Sequence, residues 1–426
     1  MKIPHLRWLL CILLFAATGL CFLDRQVLSV VAPAIRAEFG MNNTVYGYTT
    51  TAFLVSYAVM FLLGGVLVDR MGVRWGLGLS VAFWSLASTL HGLIISPLQL
   101  GLARFGLGLG EGACFPGAAK AVSEWFPPKE RALAVGIAIG GASLGGVIAP
   151  PLTAWCFALF GWRAAFLMTG LFGAVWTLFW FLLYHKPSRS PFITLEEKAY
   201  IAETSGRKSV SGQEQSDTVS APPENLFHLL ARRDVAGLAL ARFLFDPVFY
   251  FYMFWIPQFL HQERGLSIES IGKLTWIPFL ALGISNMIGG YFSDRLVRHG
   301  FRPSSARKGV MVAAAAATMS SGIAAFSPSP AFAIAMMSIL LFAHGFWITN
   351  YVAPIGDRFE AGQVGRVMGI TGMVGTIGGM FANTGIGLIA DHFGFFSVWL
   401  VSGILYPLAA AVILLLVRGK TSRAAV

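Results

Sequence analysis

The sequence predicts an all-α membrane protein with twelve transmembrane helices arranged as two six-helix halves. Of its 426 residues, 56% are hydrophobic and only 12% are charged, and its mean hydropathy is +0.69. Average soluble domains carry about twice that charged fraction. Apolar runs long enough to cross a bilayer recur from one end of the chain to the other. These observations exclude a soluble globular fold.

Hydropathy marks twelve candidate spans, and their spacing defines the domain organisation. The spans lie near residues 8–33, 46–68, 76–95, 98–122, 132–155, 163–184, 235–260, 267–290, 308–326, 330–352, 363–388 and 395–417. One long polar segment separates the first six from the last six. The chain therefore divides into an N-terminal half (1–184), a cytoplasmic linker (185–234) and a C-terminal half (235–426).

The linker contains three kinds of segment. Thr194 precedes LEEKAYIAE, whose acids lie in the first turn, and this pattern predicts a short capped helix. Residues 205–225 are polar, Ser-rich and free of aromatic residues, which predicts disorder. The following LFHLLARRD predicts an amphipathic helix lying on the cytoplasmic face.

The distribution of basic residues predicts the topology. The net charge is +11, but only four bases, Arg36, Arg163, Arg264 and Lys273, fall in loops assigned to the outside. Of the 31 lysine and arginine residues in the chain, four more fall within spans, and the others lie in inner segments. This asymmetry places both termini in the cytoplasm of a multi-pass inner-membrane protein, and it argues against a nucleic-acid partner. The four cysteines lie within spans at no metal-ligand spacing, so we expect no metal site and no disulfide.

Two internal repeats predict that the halves arose by duplication. GGVLVDR at 64–70 and GGYFSDR at 289–295 share the pattern GGxxxDR. FGWRAAFLMTG at 160–170 and FGFFSVWLVSG at 393–403 also resemble each other, and they are separated by nearly the same length of chain. Repeated units in a membrane protein are typical of transporters with a site near the bilayer midplane, between the halves.

Four charged residues in the N-terminal half lie well inside predicted spans, away from the span ends. Asp24 and Arg25 are adjacent, so they point about 100° apart on a helix and should contact different partners. Arg104 and Glu111 are seven residues apart, about 10.5 Å along a helix axis, which is too far for a direct pair. Each should therefore face another helix or a wet cavity, because a charge at the bilayer centre costs roughly 2.5–3.5 kcal/mol.

Charge counting over these four residues predicts a mechanism. Asp24, Arg25, Arg104 and Glu111 sum to zero. A monoanionic substrate would leave the region at −1, which is costly in a low dielectric. One proton on Asp24 or Glu111 would restore neutrality and free an arginine, with Arg25 as the expected anion anchor. The sequence therefore predicts proton–anion symport.

A further charged pair lies in the C-terminal half. Arg242 and Asp246 are four residues apart in the seventh span, so they can pair on one face of a helix. The pair is either functional or purely structural, and the sequence does not decide between these.

The residues GGVLVDRMGVRW resemble the loop motif of the major facilitator superfamily. The resemblance implies the major facilitator fold. It also implies that Asp69, Arg70 and Arg74 gate the cytoplasmic side by pairing across the halves. The alternative is that these three are helix-end charges that determine topology.

Longer segments resemble the anion:cation symporter family, and within it the bacterial hexuronate transporters. They are FLDRQVLSVVAPAI, GEGACFPGAAKAVSEWFPPKERALAVGI and ARFLFDPVFYFYMFWIP. This resemblance implies a functional monomer that imports a small organic anion, a hexuronate or related sugar acid, with protons by alternating access. It implies no enzymatic activity, no cofactor and no metal.

The same resemblance assigns roles to individual residues. Arg25 and Tyr57 would hold the carboxylate, Asp24 and Glu111 would carry protons, and Arg104 is the arginine of the fourth span. Further residues that would face the substrate lie in the C-terminal half: Trp276, His344, Trp347, Asn350 and Thr371. For the aromatic residues among them, simple packing is the alternative.

Three departures from the hexuronate pattern leave the substrate open. Cys114, Ile139 and Gly283 stand where polar side chains are expected. A site with fewer hydrogen-bonding groups suits a less hydroxylated or aromatic carboxylate. An anion exchanger and a sodium-coupled carrier also remain alternatives. An enzyme is disfavoured because no histidine in a span lies at metal or acid spacing, and GASLGGVIAPP does not resemble the drug-antiporter motif of the fifth span.

Overall fold

The computed structural model describes residues 2–204, 226–326, 329–359 and 361–417, which form helices joined by short turns. The segment 205–225, for which the sequence predicts disorder, lies outside the described residues. We refer below to the helices before this gap in the linker as the N-terminal helices and to those after it as the C-terminal helices.

The N-terminal helices are α1 (Leu6–Phe39), α2 (Asn43–His91), α3 (Pro97–Glu111), α4 (Cys114–Trp125) and α5 (Pro128–Leu183). The linker contributes a 3₁₀ turn (Pro187–Arg189), α6 (Leu195–Thr204) and α7 (Leu226–Ala231). The C-terminal helices are α8 (Arg233–Arg264), α9 (Ile268–Leu274), α10 (Trp276–Arg298), α11 (Pro303–Thr318), α12 (Ser320–Ala324), α13 (Pro330–Arg358), α14 (Ala361–Phe393) and α15 (Phe396–Leu416).

Eight helical segments in the described part of the chain are long and apolar enough to cross a membrane. Two of them are far longer than one crossing needs, because α2 has 49 residues and α5 has 56, or about 74 and 84 Å at 1.5 Å per residue. Each is interrupted by a glycine with positive φ, Gly72 at 76° and Gly161 at 79°. Other residue types rarely adopt this conformation. Both α2 and α5 are therefore two helices that meet at a glycine.

The predicted fourth span, 98–122, is not one continuous helix, which corrects the expectation from hydropathy. Helix α3 ends at Glu111 and α4 begins at Cys114. The interruption is shallow, because Gly112 keeps near-helical dihedral angles of φ −62° and ψ −22°. Hydropathy does not register such a break, since the residues around it remain apolar. Glu111 consequently lies at the end of a helix and not in its interior.

Left-handed glycines recur with the spacing of the sequence repeats. Gly40 ends α1 with φ 61°, and Gly265 ends α8 with φ 63°. Their separation along the chain equals that of the two GGxxxDR motifs. Gly161 and Gly394, with φ values of 79° and 69°, are separated in the same way as the second pair of repeats. The backbone geometry thus repeats together with the motifs, which supports duplication of a helical unit.

The linker helix α6 is attached to the start of α1. The predicted N-cap is confirmed, because the Oγ1 of Thr194 accepts from the Glu197 N–H over 3.2 Å. The Glu197 carboxylate in turn accepts from the backbone N–H groups of Leu6 and Arg7 over 2.9 and 3.2 Å, and from Arg7 Nη1 over 2.9 Å. Glu197 therefore caps α1 from another element.

At the ends predicted to lie outside, N-terminal and C-terminal helices are joined by hydrogen bonds. Arg36 Nη1 donates to Gln258 Oε1 over 2.8 Å, connecting α1 with α8. Asp391, near the end of α14, accepts from the backbone N–H groups of Asn43 and Thr44 over 2.9 and 2.8 Å. The Thr44 hydroxyl donates to the same carboxylate over 2.6 Å. Asp391 thus caps the first turn of α2 across the two groups of helices.

Candidate functional site

Arg25 and Glu111 form a buried ion pair within the N-terminal helices. Arg25 Nε donates to Glu111 Oε2 over 2.6 Å, and the two side chains are 4% and 0% exposed. Cys21, one turn before Arg25, completes the cluster, with its Sγ 3.3 Å from both Glu111 Oε2 and Arg25 Nη2. The expectation that Glu111 faces a partner on another helix is confirmed.

Close packing of α3 against α2 places Glu111 beside Arg25. A Cβ atom built at Gly108 would overlap the Ser56 hydroxyl and the Phe53 carbonyl oxygen. Only glycine allows the two backbones to approach so closely. The glycine-rich sequence GLARFGLGLGEG therefore brings the last residue of α3 within hydrogen-bond distance of α1.

Three aromatic rings surround the Arg25 guanidinium. Its Cζ lies 4.4 Å from the ring centroid of Tyr57, 5.2 Å from that of Phe22 and 5.3 Å from that of Phe53. Desolvated cation–π contacts contribute up to about 2 kcal/mol each. The structure thus brings the predicted anchor Arg25 into contact with the predicted Tyr57. The other two rings add an apolar enclosure.

Asp24 has a different partner from its neighbour Arg25, as their angular separation predicts. The Ser88 hydroxyl donates to Asp24 Oδ1 over 2.7 Å and lies 2.8 Å from the Thr169 hydroxyl. Asp24 Oδ2 is buried and has no hydrogen-bond partner among the described residues. Asp24 therefore retains an oxygen that can accept a proton.

Arg104 is buried with its donors unused. It is 1% exposed, and none of its three guanidinium nitrogens has a hydrogen-bond partner in the described part of the chain. It interacts electrostatically with Tyr46, Glu111 and Asp24. Unpaired buried charge is costly unless another charge compensates it. The charge of Arg104 is therefore compensated by the nearby carboxylates of Glu111 and Asp24, and its hydrogen-bond donors are unused among the described residues.

The predicted pair on α8 is present. Arg242 Nε donates to Asp246 Oδ2 over 3.0 Å, and the side chains are 15% and 9% exposed. The Arg242 guanidinium also lies 5.7 Å from the ring centroid of Phe61 on α2. The pair therefore lies where α8 meets an N-terminal helix.

His344 and Trp347 belong to one aromatic cluster of the C-terminal helices. His344 forms a hydrogen bond with the Tyr406 hydroxyl and stacks on Phe249, with ring centroids 4.7 Å apart. Trp347 packs edge-on against Phe245 at 5.5 Å and Tyr406 at 5.3 Å. Because Phe245 and Phe249 belong to α8, this cluster packs on the helix that also carries the charged pair.

The remaining three predicted contact residues form hydrogen bonds with backbone carbonyls of the C-terminal helices. Asn350 donates to the carbonyls of Phe346 over 2.9 Å and of Gly289 on α10 over 3.2 Å, and Thr371 donates to the carbonyl three residues before it over 3.2 Å. The Trp276 indole donates to the carbonyl of Lys273 over 2.9 Å at the start of α10. The structure does not join these three to the Arg25 cluster through any of these bonds.

The residues of the predicted gate bond within the N-terminal helices. Asp69 accepts from Lys120 Nζ over 2.5 Å, and Arg74 donates to two carbonyls at the end of α5 over 2.6 and 2.7 Å. Arg70 is exposed. The pairing across halves that the resemblance implies is therefore not what Asp69 and Arg74 show in this conformation.

Sequence reasoning missed four contributors to the site. Cys21 and Phe22 precede Arg25 by four and three residues, so helical periodicity could have placed them on its face. Phe53 and Ser88 lie on α2, and only tertiary packing brings them to α1. Cys21 in particular contacts both charges of the central pair.

Comparison with known proteins identifies the family. The family model described as Major Facilitator Superfamily matches residues 14–382 and 238–425. The chain belongs to the major facilitator superfamily. It is therefore a multi-pass membrane transporter and not an enzyme.

Individual relatives agree with this assignment. The chain is 30% identical to the hexuronate transporter of Escherichia coli K12 over 421 residues, covering 98% of this chain and 96% of that protein. It is 33% identical to the galacturonate transporter of Dickeya chrysanthemi over 291 residues, or 68% of this chain and 82% of that protein. Among solved structures, a bacterial homologue of the human lysosomal transporter Spinster, inward-facing and occupied, superposes with a TM-score of 0.74 at 19% identity, covering 97% of each chain.

Proposed function

We propose that the protein is a proton-coupled symporter that imports a sugar acid, a hexuronate or a related acid, by alternating access. The observation that carries the proposal is the buried Arg25–Glu111 pair, with its 2.6 Å bond. Arg25 is the group best suited to bind a carboxylate, and Glu111 already occupies it. Substrate binding and protonation of Glu111 therefore depend on the same group, the Arg25 guanidinium.

The coupling follows from the charges. With Glu111 ionised, its carboxylate neutralises Arg25 and competes with any substrate carboxylate. A proton on Glu111 removes that competition, and the substrate carboxylate then takes over the bonds to Arg25, bidentately where the geometry allows. The cluster of Asp24, Arg25, Arg104 and Glu111 is neutral before and after. Asp24 is the second proton carrier, and Arg104 holds both acids in a common positive field.

The substrate class comes from the relatives. Two proteins with about 30% identity are named for hexuronate and galacturonate transport. Both substrates carry one carboxylate and several hydroxyls. Arg25 with Tyr57 would hold the carboxylate end. Candidates for contact with the remainder of the molecule lie in the C-terminal helices: Trp276, His344, Trp347, Asn350 and Thr371.

We further propose twelve spans in two six-helix halves, with a functional monomer in the inner membrane. The glycine breaks in α2 and α5 divide each into two segments, and the helix pairs α3–α4, α9–α10 and α11–α12 each follow one predicted span. Together with the basic residues of the inner segments, this supports cytoplasmic termini. It also supports the boundaries 1–184, 185–234 and 235–426.

The arrangement of contacts is what an inward-facing state would have. Bonds such as Asp391 to Thr44 close the predicted outer ends, whereas Asp69 and Arg74 bond within the N-terminal helices. In the outward-facing state, we propose that Asp69, Arg70 and Arg74 form the cytoplasmic gate. The halves would then exchange one set of contacts for the other.

A second candidate substrate is a less hydroxylated or aromatic carboxylate. The three rings around Arg25 favour it, since they offer stacking surfaces and only one hydroxyl. Cys114, fully buried at the start of α4, and Ile139 on α5 also contribute no strong hydrogen-bonding group. Exchange and sodium coupling remain the alternative modes of energisation.

Uptake into proteoliposomes tests the proposal and separates these candidates. We expect an inward proton gradient to drive accumulation of glucuronate or galacturonate and a protonophore to abolish it. The panel also includes galactonate, an aliphatic monocarboxylate and benzoate. Accumulation of benzoate alone would select the second candidate. Uptake that depends on a sodium gradient, or only on internal anion, would overturn proton symport.

A further inference from the structure

A second cation approaches the aromatic rings of α2 from the C-terminal helices. Arg242 Cζ lies 5.7 Å from the Phe61 centroid, the Phe61 ring lies 5.6 Å from the Tyr57 ring, and Tyr57 lies 4.4 Å from Arg25 Cζ. Arg25 on α1 and Arg242 on α8 therefore contact the same short run of rings. The two cations thus lie at opposite ends of this run of rings, so a ligand that is bound at Arg25 and extends along Tyr57 and Phe61 would approach Arg242.

Asp246 forms an ion pair with this second cation, Arg242. Its Oδ2 accepts from Arg242 Nε over 3.0 Å. Helix α14 packs closely against the pair at Gly375. A Cβ atom at this position would overlap the Asp246 carboxylate and lie 2.6 Å from Arg242 Cγ. Arg242 Nη1 is buried without a hydrogen-bond partner among the described residues. The pair is thus packed in place, and its acid and base neutralise each other.

The charge balance of the whole region favours a monoanion. Asp24, Arg25, Arg104 and Glu111 sum to zero, and Arg242 with Asp246 add zero. A substrate with one carboxylate and one proton keeps the region neutral. A substrate with two carboxylates needs a second proton, such as one on Asp24, to keep the region neutral, and a second carboxylate directed at Arg242 would meet Asp246 there. Like charges placed together in this way cost several kcal/mol.

We propose that Asp246 occupies the place at Arg242 that a second substrate carboxylate would need, and so restricts transport to sugar acids with a single carboxylate. Uronates and aldonates are then accepted, and aldarates, which carry a carboxylate at each end, are rejected. Asp246 is a specificity-determining residue of the same site. This inference rests on the proposed sugar-acid function.

Competition for glucuronate binding tests the inference in purified protein. In the wild type, we expect galacturonate to compete with labelled glucuronate, and glucarate and galactarate to compete at least about tenfold more weakly, a difference of about 1.4 kcal/mol. Asp246→Asn keeps the side-chain volume and removes the charge. In this variant, the competition of the aldarates relative to galacturonate should improve at least about tenfold.

Two variants control the measurement. Asp234→Asn makes the same chemical change on α8, at the Arg232 pair near its start, and should leave the preference unchanged. The double variant Arg242→Gln/Asp246→Asn removes the cation together with the acid and should not gain aldarate binding. An equal gain in the double variant would show that Arg242 is not the second site, and would overturn the inference.

The outcomes separate this inference from the proposed function. A wild type that binds no sugar acid overturns the proposed function. A wild type that binds aldarates as well as uronates leaves that function intact and overturns the restriction by Asp246. If Asp246→Asn unfolds, Asp246→Ser replaces it, and the wild-type preference still decides. A folded Asp246→Asn or Asp246→Ser variant that binds glucuronate, but from which aldarates displace it no better than from the wild type, also refutes the inference.

Discussion

Replacing Glu111 by glutamine removes the charge that holds Arg25 and keeps the side-chain volume and one oxygen acceptor. The variant mimics the protonated state permanently. Hydrogen bonds to charged groups contribute about 1.5–3 kcal/mol and neutral ones about 0.5–1.5 kcal/mol. The substrate carboxylate therefore competes against a partner weaker by roughly 1.4 kcal/mol, and its affinity should rise about tenfold at neutral pH.

The same variant should lose coupling. With no carboxylate bonded to Arg25, an inward proton gradient cannot be converted into substrate release inside through this pair. We expect accumulation driven by external acid to disappear in proteoliposomes, while counterflow of labelled glucuronate against internal glucuronate persists. Binding by scintillation proximity or calorimetry measures the affinity, and paired uptake assays measure the coupling.

A matched variant isolates the effect of position. Glu124→Gln makes the identical change on α4, where Glu124 accepts from the Tyr184 hydroxyl over 2.8 Å, away from Arg25. It should keep acid-driven uptake. If Glu111→Gln also keeps acid-driven accumulation at the wild-type level, the reasoning from the Arg25–Glu111 bond is wrong.

Three further substitutions test other parts of the structure. Arg25→Lys should weaken substrate binding by about 2–3 kcal/mol, since the ammonium lacks the planar fork, with little change in melting temperature. Asp391→Ala removes the carboxylate that caps α2, so labelling of Thr51→Cys by an impermeant maleimide from outside should increase. Glu197→Ala removes the cap of α1 and should cost about 1–2 kcal/mol, measured as a lower melting temperature.

Each of these predictions has a result that contradicts it. Wild-type affinity in Arg25→Lys would remove Arg25 as the anchor. Unchanged labelling in the Asp391 variant would mean that this cap does not help to hold the outer ends together, and Asp391→Asn, which keeps an acceptor, should show an intermediate increase. An unchanged melting temperature in Glu197→Ala would mean that the contact of α6 with α1 contributes nothing measurable.

Much of the fold follows from residue-level physics. The apolar runs and the internal repeats predict the helices and their duplicated order, and the left-handed glycines that recur with the spacing of those repeats agree with them. The break between Glu111 and Cys114 was not predictable from hydropathy. No change in polarity marks it, and Gly112 at the break packs closely against Met60 of α2.

The site was predictable in its charges and less so in their partners. A charge within a span is costly, so Arg25, Glu111 and Arg242 are each expected to have a partner of opposite charge. Their spacing on one helix predicts the pair of Arg242 with Asp246. Spacing alone does not predict that Glu111 bonds to α1 while Arg104 keeps its donors, since both lie on one helix two turns apart. That distinction depends on which end of α3 approaches α1, which is a tertiary property.

The two arginines that contact the rings of α2 differ in what can displace their carboxylates. Glu111 ends α3 beside a helix break, and its second oxygen has no hydrogen-bond partner among the described residues. Asp246 lies in the middle of α8, one turn from its own partner and packed against Gly375. In the proposed cycle, a proton on Glu111 frees a cation for substrate, whereas Asp246 stays bound to Arg242. One pair is suited to coupling and the other to selection.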